Sequence, residues 1–509
     1  MRNASVQNDG RRRNSTHTFR VLLLLVAAAA LTVSLAMTVQ AGQAGKEGHA
    51  TKTKQTKSSK GSQLSTCPFA GWAEGLSQLQ QPGAAFPTQD TANNPPDCAF
   101  QQWSWEAFVW AMAPQGGGAP RFLSLPTEDD LANCETHSGP LKLAARSLWK
   151  SGAPGGAEGA GAIVQADGNM MVGPGGYPVY ASVHMNKPYC TTAKQNKLQK
   201  TPDGQYKYPQ APYFPVGAAV FKATWIRVVG SAPAGSYTTQ AQVPNLKQAP
   251  PAGGTISPAG TFTTVKVALV GLHVVGYTVD HPEFLWGTFE HNLNTPASKD
   301  FTFQPSPAIK CGTAIGAPYT FCPANTPYSA VNLCAYPGPA DPKKTGCPLG
   351  GLTLTGQTVA PITFAVQENA TGGNTEPNGP QDINNVNAQG QSHVPALAAY
   401  HLVGTTWLKA GTFNPNSTSA NAKGSVNLTN TTAETFRQSA TRSPQPQNNC
   451  FACHFPGSNN YQPCPGIKAL PNHLIAVSHV ITLGTPFATE NQIPGSCPAA
   501  VLLKPGMKK

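Results

Sequence analysis

The sequence predicts a β-rich α+β fold with long Pro/Gly/Cys-rich loops and a small helical segment near the C-terminus. Three observations carry that expectation. Glycine and proline number 50 and 48 among 509 residues while charged residues are only 11%, a balance that favours strands, turns and ordered loops over a helical bundle. Apolar, β-branched runs recur at 163–172, 177–185, 214–229, 262–279, 284–291 and 397–413, most of them bounded by proline or glycine, and such runs read as strands. One stretch, 98–113, carries Phe100, Trp103, Phe108 and Trp110 at spacings that suit a buried helix.

Taken in order, residues 1–41 begin with Arg2, Arg11, Arg12, Arg13 and Arg20, continue with an apolar run over 21–36, and end on Val39-Gln40-Ala41. That is the layout of a signal peptide, and the run is short for a membrane span. The alternative is an uncleaved N-terminal anchor. The expectation is export by a bacterium to the periplasm or the extracellular space, with no stable membrane span after cleavage. Residues 42–66, with Lys46, Lys52, Lys54, Lys57 and Lys60, read as a flexible basic linker. The net charge is +12, but residues 1–65 hold ten Lys/Arg against two acids, a surplus of eight that leaves only +4 for the rest. A nucleic-acid partner is therefore not expected.

Residues 67–425 form the predicted β-rich body. Glu128-Asp129-Asp130 after Pro126-Thr127 marks a helical first turn favoured by its negative charges. Turn signals at Asp167-Gly168 and Pro174-Gly175-Gly176 suggest a hairpin between 163–172 and 177–185. Residues 292–395, rich in Pro, Gly, Asn and Cys, read as one long excursion with little regular structure. Residues 426–509 form a smaller segment packed on the body, with short helices expected at about 431–438 and 467–481.

Between those helices lies Cys450-Phe451-Ala452-Cys453-His454, the Cys-x-x-Cys-His attachment sequence for haem c. Two thiols three positions apart can add to the two vinyl groups of one haem, and the next residue's imidazole can then bind the iron. The expectation is one haem c per chain, held by Cys450 and Cys453, with His454 as proximal iron ligand. A disulfide with an incidental histidine and part of a zinc site are the alternatives. For the distal ligand His479 is preferred because its surroundings are apolar. His473 is six residues away, about 600° around a helix, so at most one of the two faces the iron. Met507, His273, His184 and His291 are the other candidates. The ten remaining cysteines are enough for five disulfides, with Cys311, Cys322, Cys334 and Cys347 close enough to pair among themselves and Cys464 and Cys497 placed to brace the haem segment.

The run from Asn430 through Thr435, Phe436 and Gln438, the pair Ser478-His479, Leu272-His273, and Phe284-Leu285-Trp286-Gly287-Thr288-Phe289-Glu290-His291 together resemble a motif set of large secreted bacterial cytochrome c family proteins. The likeness covers much of 98–479 but not the Cys-rich stretch. It implies haem c and export.

Three function classes fit. The first is an electron-transfer cytochrome with a redox partner protein. The second is a haem-dependent oxidoreductase, peroxidase- or oxygenase-like, with an open iron site and a small redox substrate held in the β body. The third is a binding protein whose haem is a sensor or staple. Glu290-His291 beside Trp286 could supply an acid/base pair, but an alternating strand should bury one neighbour and expose the other, which favours structural roles. No phosphate-binding glycine loop, His-Glu-x-x-His or Gly-x-Ser-x-Gly motif is present.

Overall fold

The computed structural model describes residues 67, 72–89, 96–145, 173–195, 199–200, 206–207, 214–248, 256–295, 319–321, 347–348, 351–354, 357–361, 364–365, 379–409, 412–413, 422–426, 428, 430–433, 450–453, 462–463 and 487–488. The first predicted hairpin strand (163–172), the expected helix at 467–481, and His454, His473, His479 and Met507 lie outside these residues.

The body is a mainly antiparallel sheet of eight strands: β1 Ala144–Ala145, β2 Tyr180–Met185, β3 Ala219–Arg227, β4 Thr238–Gln248, β5 Ile256–Thr278, β6 His281–His291, β7 Tyr400–Leu408 and β8 Ala422–Gly424. Their spatial order is β1-β2-β3-β5-β6-β7-β8, with β4 pairing β5. Strand β5 organises the sheet. Its C-terminal half pairs β3 from Gly276 back to Val267 and β6 from Thr278 back to Gly271, while β4 pairs its N-terminal half. Five of the six predicted apolar runs are thus represented in the sheet.

Three helices, α1 (Trp72–Leu79), α2 (Pro96–Met112) and α4 (Gly379–His393), contact one another, and α2 and α4 also lie against β7. Helix α2 is buried on nearly every side, its polar Gln101, Gln102 and Ser104 included. Trp103, Trp105 and Phe108 are buried, with Phe108 stacked on Phe289 of β6 at 4.1 Å between ring centroids. Several of the polar groups carried into this core are paired: Ser104 and Thr405 share a hydrogen bond of 2.7 Å, and Trp105 Nε1 donates to Asn387 Oδ1 at 2.9 Å. Buried polar groups are tolerable only on those terms.

The excursion expected over 292–395 is less irregular than its composition implies, because Gly379–His393 near its end form α4. The intrinsic helix preference of GPQDINNVNAQGQSH is poor. Tertiary contacts supply what propensity lacks: Asn387 Nδ2 donates to Leu402 O, Asn387 Oδ1 accepts from Leu402 N, and Gly390 lets Trp105 come so close that a Cβ there would lie 2.5 Å from its ring. The helix expected to start near 431 is also corrected at its beginning, since residues 431–433 form a bend.

The opposite face of the sheet carries α3 (Lys187–Gln195), capped by Asn186, whose Oδ1 accepts from Tyr189 N at 3.1 Å and Ala219 N at 2.9 Å. A disulfide, Cys134–Cys190, ties α3 to the loop after the short turn Glu128–Asp130. That turn forms as its acidic sequence predicts, with a Thr127/Asp130 capping box. A second disulfide, Cys67–Cys98, joins the N-terminal side of the body to α2. Among the described residues no helix is long and apolar enough to cross a membrane.

Candidate functional site

The attachment pentad enters the structure as α5, Cys450–Cys453. The two cysteine positions begin and end this single helical turn. Phe451 is the anchor. It is 2% exposed and its ring meets Trp286 of β6 edge-on at 6.2 Å. Phe284, Leu408, Val275 and Phe214 complete the apolar cluster beneath it, against which half-buried Cys450 packs. The turn is therefore held on the sheet by the residue between the cysteines, with an aromatic surface beside Cys450.

Cys450 thus packs against a largely apolar and aromatic surface, the kind of surface suited to a flat apolar macrocycle. Among the described residues the one cluster of metal-type side chains is Cys67, Cys98 and Asp382, and its two sulfurs are already joined as a disulfide.

Strand β6 is strained where it supports this cluster. Phe284 has φ 70°, a left-handed conformation that is a true outlier for a bulky residue and costs on the order of 1–3 kcal/mol. Its ring is clamped by Phe214, Tyr277 and Tyr189 at 5.5, 5.6 and 6.2 Å. Next to it Glu283 is fixed by three bonds: Oε1 accepts from His281 Nδ1 at 2.7 Å and from Leu408 N at 3.0 Å, and its carbonyl accepts from Trp286 Nε1 at 3.3 Å. His281 and Glu283 are both buried, and the His281 ring stands edge-on to Phe100 at 4.8 Å. This pair does not stand out in the sequence. Its available signal was the two-residue spacing, which puts both side chains on one face of a strand.

At Glu290-His291 the expected alternation of one buried and one exposed neighbour does not occur, while the structural roles favoured there are what the contacts show. Both residues are buried, because helices cover one face of β6 and the 430–433 segment covers the other at this point. Glu290 accepts from Thr432 N at 3.0 Å, from Thr432 Oγ1 at 2.6 Å and from Asn294 Nδ2. Thr432 Oγ1 also shares a 2.7 Å hydrogen bond with Thr224. Glu290 thus fastens the chain leading toward the attachment turn to the sheet. His291 Nε2 donates to Ala234 O at 3.1 Å and Nδ1 accepts from Leu293 N at 3.1 Å, and burial lowers its pKa to about 4. It is a neutral core histidine with both ring nitrogens engaged.

The other histidines of the body separate cleanly. His184 is wholly buried under Phe122, pairs with Ser182 Oγ at 3.0 Å, and has its pKa lowered by burial to about 3. His273 on β5 is half-buried and pairs through Nδ1 with Thr288 Oγ1 at 2.9 Å. It lies on the strand face that carries Trp286, one cross-strand pair along.

No known protein-family model, curated protein or solved structure matches the chain.

Proposed function

We propose that the chain is an exported c-type cytochrome that binds one haem through Cys450, Cys453 and His454 and transfers single electrons. The observation that carries the reading is the Cys-x-x-Cys-His sequence, whose cysteines begin and end one helical turn beside an aromatic floor. Each thiol would add its S–H across one vinyl group, giving two thioethers. His454, following the second cysteine, would bind the iron from one side. When bound, the haem supplies an iron(III)/iron(II) couple.

The chain's own contribution is positional. Phe451 locks the turn onto Trp286, and Glu290 holds residues 430–433 on the sheet through Thr432. Two disulfides within the body suit an oxidising compartment, and so support export.

The test is the visible spectrum of protein exported from a host with haem c maturation machinery, taken oxidised and reduced, with and without carbon monoxide. An electron carrier gives a sharp low-spin spectrum indifferent to the gas. A high-spin spectrum that shifts on addition would overturn electron transfer in favour of a haem-dependent oxidoreductase with an open iron site. No haem spectrum at all would sink both.

A further inference from the structure

The Cys67–Cys98 disulfide has a neighbour that the oxidised pair does not explain. One donor atom from each of Cys67, Cys98 and Asp382 lies within 4.8 Å of the other two, and all three residues are buried. A disulfide sulfur offers a carboxylate neither a proton nor a charge. Whatever else Asp382 holds, the disulfide is therefore no reason for its place here. As thiolates, the same two sulfurs with a carboxylate oxygen are three donors of the kind that bind zinc. We propose that Cys67, Cys98 and Asp382 form a redox-gated site for one zinc ion, closed by the disulfide and opened when a dithiol reductant cleaves it. Cys67 and Cys98 belong to the core on the helical side of the sheet, not to the cluster beneath Phe451, so the site does not depend on the haem reading.

The fold carries two of the donors on helices. Cys98 is the third residue of α2 and Asp382 the fourth of α4, so both helices bring their first turns to one point. The partial positive charge of a helix N-terminus favours anions and lowers the pKa of a thiol, which suits a thiolate and a carboxylate there. Cys67 comes from the chain before α1, and its Cα lies 5.6 Å from that of Cys98. In a tetrahedral zinc site each sulfur is about 2.3 Å from the metal and the two are about 3.7 Å apart. Turning the two side chains supplies that separation with the backbone in place.

Ligating carboxylates are themselves hydrogen-bonded as a rule, so binding through one oxygen is compatible with every further contact of Asp382. Three protein donors leave the fourth position to water. In the opening step the dithiol reductant gives up two electrons and two protons and becomes a disulfide. The Cys67–Cys98 S–S bond breaks, and each sulfur takes one proton. Zinc then replaces those two protons, which leave to solvent.

The experiment uses the full exported chain and the variants Cys67→Ser/Cys98→Ser, Cys134→Ser/Cys190→Ser and Asp382→Asn. Each is titrated with zinc ion against a chromophoric chelator, before and after reduction by a dithiol. The unmutated chain should gain a zinc equivalent on reduction. That equivalent should be absent from Cys67→Ser/Cys98→Ser and present in Cys134→Ser/Cys190→Ser. In Asp382→Asn it should bind at least about tenfold more weakly, since losing even an outer-shell partner of a metal costs that much. The proposal is overturned by equal zinc binding before and after reduction, by a disulfide that resists the reductant in the folded chain, or by unchanged affinity in Asp382→Asn. An equivalent lost with Cys134 and Cys190 instead would also overturn it. Should the variants not accumulate, X-ray absorption of the reduced, unmutated chain loaded with one equivalent of zinc decides. Two sulfur neighbours together with oxygen support the site, and any other number of sulfurs contradicts it.

Discussion

At the scale of single residues, three buried titratable groups give the fold a calculable response to pH. Burial lowers His184 to about 3 and His291 to about 4 from 6.5, so between roughly pH 4 and 6.5 the folded chain holds fewer protons than the unfolded one. Stability from these two is fully present above pH 6.5 and lost on acidification, each contributing a slope of about 1.4 kcal/mol per pH unit. Glu106 acts oppositely. Burial, partly offset by a hydrogen bond from Trp72, raises it from 4.5 to about 7, so its contribution is present below pH 4.5 and is lost as pH rises through 7. Between pH 4.5 and 6.5 it cancels one histidine, leaving a net rise of about one proton's slope. Glu106→Gln should therefore be more stable than the unmutated chain by up to about 3 kcal/mol at pH 8 and show no gain at pH 4, checked by urea midpoints at both. An equal effect at the two pH values would contradict the burial account. Sequence reading could name Glu290 and His291 but not their burial, because alternation says nothing about a strand covered on both faces.

At the scale of elements, what was legible followed from strong periodicity or strong composition. Helix α2 could be read from its aromatics, and β5, β6 and β7 from their apolar runs. Helix α4 was hidden because its own residues argue against it, and it forms through contacts to residues outside it, Trp105 far away in sequence and Leu402 on the next strand. Gly390→Ala tests that explanation. Helix propensity alone predicts a gain of about 1 kcal/mol, whereas the clash with the Trp105 ring predicts a net loss of about 1–2 kcal/mol. Denaturant unfolding decides the sign. The attachment turn makes a parallel case: Cys-x-x-Cys-His was visible at once, but its seat on Trp286 was not, since Phe451 reads in sequence as only a spacer between cysteines. Trp286→Ala should cost about 3–5 kcal/mol and lower the fraction of chains carrying covalent haem, measured as haem absorbance per protein.

Across the whole molecule, two layers meet on one sheet, and they serve different ends. The helical side holds the large aromatic core and the Cys67–Cys98 disulfide, while the other side carries α3, the strained Phe284 and the attachment turn. The β-rich class was legible from glycine, proline and low charge, but which face would receive the turn depends on register, and register is set by pairings that sequence patterns do not specify. The disulfide Cys134–Cys190 closes a separation of 56 residues within the cluster that contains Phe451. Its removal in the Cys134→Ala/Cys190→Ala chain should cost about 4 kcal/mol by loop entropy, read as a fall in Tm. The central claim is covalent haem at this turn, and the most direct measurement is the intact mass of the denatured, exported protein beside its Cys450→Ala/Cys453→Ala variant. The account predicts one haem added to the unmutated chain, surviving denaturation, and none on the variant. Equal masses, after allowing for the two substitutions, would contradict it.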